Sequence, residues 1–106
     1  MEKKLLQLIK KNKWIFWDTK LEFVSEFSAV EKFLNYGEIE DIAKLIKLLG
    51  YEKTKDIFKK QINQERINYT VLNVNYFIKF FELENEVPYK SIIEKAKRTS
   101  FFYREV

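Results

Sequence analysis

Arg66–Leu83 reads RINYTVLNVNYFIKFFEL, and the period assigned to it decides the fold class. Tyr69, Thr70, Val71, Val74, Tyr76 and Ile78 favour a strand by intrinsic preference, whereas Val71, Val74, Phe77, Ile78 and Phe81 recur at the three-and-four spacing of one helical face. A hairpin through the middle of the stretch needs a tight turn, and Asn73-Val74-Asn75 contains neither Asn-Gly nor Asp-Gly. The stretch therefore reads as a helix, and no other segment asks for a sheet.

Toward the N-terminus, Tyr51–Ile62 sets Tyr51, Ile57, Phe58 and Ile62 against a charged face of Glu52, Lys53, Lys55, Asp56, Lys59 and Lys60, the pattern of an amphipathic helix. Before it, Ile39, Ile42, Ile46 and Leu49 share a face, Glu38, Glu40 and Asp41 occupy the first turn, and Lys44 and Lys47 follow, in keeping with the helix dipole. Gly50 closes that helix. Phe23, Phe27, Val30 and Leu34 space a further helix over 22–36, with Gly37 expected as its left-handed terminator. Thr19 and Glu22 have capping-box spacing at its start, with Asp18 the alternative N-cap. Leu5, Leu8 and Ile9 mark a short basic helix over 2–12.

Toward the C-terminus, Pro88 suits the first turn of a last helix carrying Ile92, Ile93 and Ala96 inward, trailed by Phe101, Phe102 and Tyr103. The expected fold is all-α, a single compact bundle of five or six short helices over residues 1–106. The sequence contains no repeat, linker or low-complexity segment.

Composition narrows the chemistry. At 106 residues one core is expected, and no run of 18 apolar residues exists to span a bilayer. The start lacks a secretory leader pattern, so a cytoplasmic protein without a membrane partner is expected. Cysteine and histidine are both absent, which removes disulfides, zinc-finger spacings, Cys nucleophiles and every Ser-His or Cys-His arrangement. With two isolated glycines no phosphate-cradling loop can be written. The expectation is a protein that is not an enzyme and takes no metal or cofactor. Glu38, Glu40 and Asp41 are accounted for by their place at a helix N-terminus and not as a catalytic or metal cluster.

The net charge of +4 is unevenly spread: residues 1–20 hold six lysines against Glu2 and Asp18, and residues 21–87 hold nine basic against twelve acidic side chains. Only Arg66, Arg98 and Arg104 are arginine, so bidentate base reading is not advertised.

Phe16-Trp17-Asp18, then Leu34-Asn35-Tyr36-Gly37, then Leu49-Gly50-Tyr51-Glu52-Lys53 together resemble an uncharacterised family of small bacterial domains, DUF6922, over about residues 14–83. Leu49-Gly50 stands where that family has an aromatic-glycine pair. The resemblance implies a small domain similar to ones encoded beside nucleotidyltransferase-like toxin genes, hence an antitoxin-like or accessory protein. It carries over no catalytic residues.

Two surfaces are candidates. Trp14, Phe16, Trp17 and Asp18, with the tail Phe101, Phe102 and Tyr103, are the candidate contacts to a protein partner, toxin-like or a second copy, because exposed aromatics dominate interface energetics. The competing reading places these rings in the core with Asp18 as a cap. Lys53, Lys55, Lys59 and Lys60 are the candidate nucleic-acid contacts of a helix-turn-helix centred on Gly50, suited to phosphates more than bases.

Overall fold

A computed structural model describes residues 3–105, with side chains through Arg98. The fold is all-α: six α-helices and two short 3₁₀ segments, with no strand among the described residues. None of these helices is long and apolar enough to cross a membrane. The chain divides into two compact units, Met1–Ile57 and Phe58–Val106.

In the first unit, helix α1 (Lys3–Lys11) buries Leu5, Leu8 and Ile9, the stripe its spacing predicts. Asn12 ends it, the side-chain Nδ2 donating to the Leu8 carbonyl at 3.0 Å. A 3₁₀ turn (Lys13–Phe16) follows and contacts α2 (Glu26–Tyr36), and α3 (Ile39–Leu49) packs on both α1 and α2.

Several expectations about α2 and α3 are corrected. The capping box lies at Ser25 and Ser28, not at Thr19 and Glu22: Ser28 N–H donates to Ser25 Oγ at 3.1 Å and Ser25 N–H to Ser28 Oγ at 2.9 Å. Asp18 caps nothing. Residues Leu21–Phe23 form a separate 3₁₀ turn, so Phe23 leaves the helical period and is 72% exposed, while Val24 is buried in its stead. Inside α2 the buried residues are Ala29, Val30, Phe33 and Leu34, and Phe27 is exposed. Gly37 is not left-handed; its φ of −75° and ψ of 157° are open to any residue. What requires glycine there is space, since a Cβ would stand 2.7 Å from the Phe33 carbonyl oxygen. In α3, Leu45 is fully buried and Ile42, Ile46 and Leu49 half-buried, whereas Ile39 is 76% exposed. Side chains lean toward the helix N-terminus, and Ile39 opens the helix with no turn beneath it to cover.

Gly50 adopts φ +94° and joins α3 directly to α4 (Tyr51–Ile62), its N–H donating to Ile46 and its carbonyl accepting from the buried Thr54 hydroxyl at 2.8 Å. Helix α4 runs across the division between the units.

In the second unit, Phe58 and Ile62 of α4 are buried, as are Ile67 and Tyr69, which alternate with the exposed Asn68 in a non-helical approach to α5 (Val71–Phe80). The predicted helix over 66–83 is thus real but shorter: Thr70 Oγ1 accepts from Asn73 N–H at 3.1 Å and starts it. The strand preference at the front of the stretch goes into that extended approach. At the far end Glu82 takes φ +55° and Leu83 N–H reaches back to the Ile78 carbonyl at 2.8 Å, a helix stop with glutamate where glycine is usual. Helix α6 (Tyr89–Glu105) begins after Pro88, packs on α5 and buries Ile92 and Ala96, with Ile93 half-buried.

Candidate protein-interaction site

The Phe16-Trp17 pair splits between inside and outside. Phe16, last residue of its 3₁₀ turn, is 3% exposed and meets Phe33 of α2 edge-on with centroids 5.9 Å apart. Trp17 is 66% exposed and Trp14 is 59% exposed. The core reading therefore holds for Phe16 and fails for both tryptophans, because consecutive residues of a tight turn point to different sides.

Although exposed, the Trp17 indole is held in place. Lys32 and Tyr36 stand four residues apart on α2, on one face of the helix. The Lys32 ammonium lies 4.3 Å from the centre of the Trp17 ring, a cation–π contact, and the Tyr36 ring meets the indole edge-on at 5.3 Å. Asp18 completes the cluster, its two carboxylate oxygens receiving Lys32 Nζ at 2.9 and 3.0 Å. The hydrogen bond from Lys32 chiefly holds the Asp18 carboxyl below the usual aspartate range, the lysine's charge and a Thr19 hydroxyl contact adding to it. Asp18, expected to cap a helix, instead fixes the lysine that fixes the tryptophan.

The sequence gives no sign that Lys32 belongs to a site, and it presents Tyr36 only as part of the Leu34-Asn35-Tyr36-Gly37 motif. Their i,i+4 spacing was visible, but its target lies in another segment, and nothing local says that a lysine will face an indole. Phe23 and Ile39, exposed as described, belong to the same unit.

Phe101, Phe102 and Tyr103 do not trail the last helix: the α6 backbone continues through them, and their side chains lie outside the described residues. Among the aromatics of and just after α5, Phe77 and Phe81 are core and Phe80 is exposed, its ring stacked on exposed Tyr76 at 6.3 Å.

The structure does not assemble the four α4 lysines into one open basic face. Lys53 pairs with Glu26 at 2.8 Å and Lys59 with Glu86 at 3.4 Å, while Lys55 is half-buried and Lys60 exposed. The α3–α4 junction is a single residue, Gly50, shorter than the three or four residues of a DNA-binding helix-turn-helix. Among the described residues no group of three or more acidic side chains gathers as a metal site would require.

Comparison with known proteins finds no match: no protein-family model, curated protein or solved structure aligns with the chain.

Proposed function

We propose that the chain is a binding protein without catalytic activity that docks a protein partner through the exposed Trp17, the Tyr36 ring packed against it, and the exposed Trp14 three residues earlier in the chain. The partner expected from the motif resemblance is a nucleotidyltransferase-like toxin enzyme, with this chain its antitoxin-like or accessory subunit. The reading rests on Trp17 being two-thirds exposed and yet pinned by Lys32 and Tyr36. A large ring already fixed in place loses little conformational freedom on binding, and such rings are what interfaces use as anchors.

The nucleic-acid reading through α4 has less support, since Lys53 and Lys59 are already partnered by carboxylates. Affinity capture from the native host, run with and without nuclease, separates the two. A stoichiometric protein that survives digestion and is lost with folded Trp14→Ala/Trp17→Ala bait supports the proposal. Recovery of nucleic acid, with every co-purifying protein lost on digestion, removes it.

A further inference from the structure

Helices α1 and α3 flank an open groove of about 320 Å³, and neither tryptophan is among its lining residues. Lys4, Gln7, Leu8 and Lys11 line it from α1, at the spacing of one helical face, and Lys44, Lys47 and Leu48 line it from α3. No carboxylate is among the lining residues. The four lysines are exposed, and among the described residues none of them has an ion pair, in contrast to Lys32, Lys53 and Lys59. Beneath them Leu8, 7% exposed, and half-buried Leu48 form an apolar floor.

Converging like charges repel, and at such a place the protein field favours a negative partner. Three kinds of anion differ in how they would use this floor and rim. A single nucleic-acid strand gains from aromatic platforms, and no aromatic residue lines the groove. A lipid surface offers headgroups with no apolar side chain at a fixed spacing, whereas Leu8 and Leu48 lie among lysines held at fixed positions on two helices. An acidic amphipathic peptide matches both parts, carboxylates to the lysines and an apolar side chain to the leucines.

We propose that this groove receives an acidic amphipathic segment of the protein partner, a proposal that rests on the partner-binding reading above and names the chemistry of what is bound. Lys4 and Lys11 are seven residues apart, about 10 Å along α1 at the helical rise, so the segment presents acids about two helical turns apart with a leucine-sized side chain between them.

The test uses the full chain and a fluorescein-labelled helical peptide of Glu and Leu at that spacing, at physiological salt. The expected result is saturable binding with amide NMR shifts at Gln7, Leu8, Lys44 and Leu48. Replacing the peptide's Leu by Ser weakens binding at least about fivefold, and Lys44→Glu/Lys47→Glu weakens it at least about tenfold. Lys10→Glu/Lys13→Glu, the same charge change outside the groove, alters it less than about twofold, because such surface charges are screened. Circular dichroism checks that each variant is folded, and Lys44→Gln/Lys47→Gln gives an intermediate loss. Equal losses in the two charge-reversed proteins, or shifts that bypass Gln7 and Leu8, overturn the proposal. So does tighter binding of an oligothymidylate or of phosphatidylserine vesicles that displaces the peptide. Retention of a captured partner by the Lys44→Glu/Lys47→Glu protein overturns the groove alone, while specific peptide binding with no partner captured by the wild type overturns the partner reading alone.

Discussion

In the second unit, Phe58 meets Tyr69, Phe77 and Phe81 with ring centroids 5.2 to 6.0 Å apart, and all four rings are buried. In the first, Phe16 and Phe33 make a buried pair, whereas Trp14, Trp17, Phe23 and Tyr36 stand exposed. Both tryptophans of the chain belong to the first unit. Both units thus bury some rings and expose others, Tyr76 and Phe80 in the second among them, but the four-ring buried cluster belongs to the second and the exposed tryptophans to the first. Mutations of similar size should therefore separate stability from recognition.

The largest effect is expected where the rings are most enclosed. Phe58→Ala leaves a void at the centre of three neighbours and should lower stability by about 3–5 kcal/mol, read by chemical denaturation. Tyr69→Phe comes next: its hydroxyl donates to the buried Gln61 Oε1, and loss of that donor in a dry interior should cost about 1–3 kcal/mol. Should either substitution prove nearly neutral, the second unit is not held by its aromatic cluster and the contrast collapses.

Gly50→Ala probes the junction of α3 and α4. No atom lies within 4 Å of the added methyl, so the whole cost, about 1–3 kcal/mol, is that of holding an L-residue at φ +94°. Denaturation midpoints of Gly50→Ala and wild type measure it directly.

Trp17→Ala sharpens the comparison from the other side. Its removal should cost under about 1 kcal/mol in stability, against several for Phe58, while weakening partner binding at least about tenfold. A thermal melt and a binding isotherm on one preparation decide it; a strongly destabilised Trp17→Ala protein shows that this ring is structural after all.

The smallest effect concerns acid. Because the folded state holds the Asp18 carboxyl below its unfolded value, its contribution is present above the unfolded value and disappears as pH falls through the folded one. Carboxyl NMR titration should place the Asp18 midpoint below that of Asp18 in the unfolded chain, and Lys32→Met should return it toward the ordinary range. Indole emission of Trp17 should change over the same acidic window, as protonation releases Lys32.

Helix existence was legible because the signal is local: the stripe of Leu5, Leu8 and Ile9, the run of Val74, Phe77 and Ile78, and the pair Ile92 and Ala96 each fall within one element. The same short-range logic covers Gly50, whose backbone conformation is its own. Where two local signals competed, the sequence did not settle the outcome. Thr19 and Asp18 both offered a start for α2, and neither is used: the 3₁₀ turn over Leu21–Phe23 moves the start to a cap at Ser25.

Amino-acid order by itself determined that this chain is helical, that it lacks the side chains of thiol and histidine chemistry, and where most helices begin and end, because capping, periodicity and residue type act within a few positions. Only the tertiary structure decided that Phe16 goes in and Trp17 stays out, that Gly37 is needed for its lack of a Cβ, that Lys32 clamps an indole, and that Lys4 and Lys11 share a groove with Lys44 and Lys47. Each of these depends on a surface supplied by residues distant in the chain, and no spacing within a single element encodes what will be packed against it.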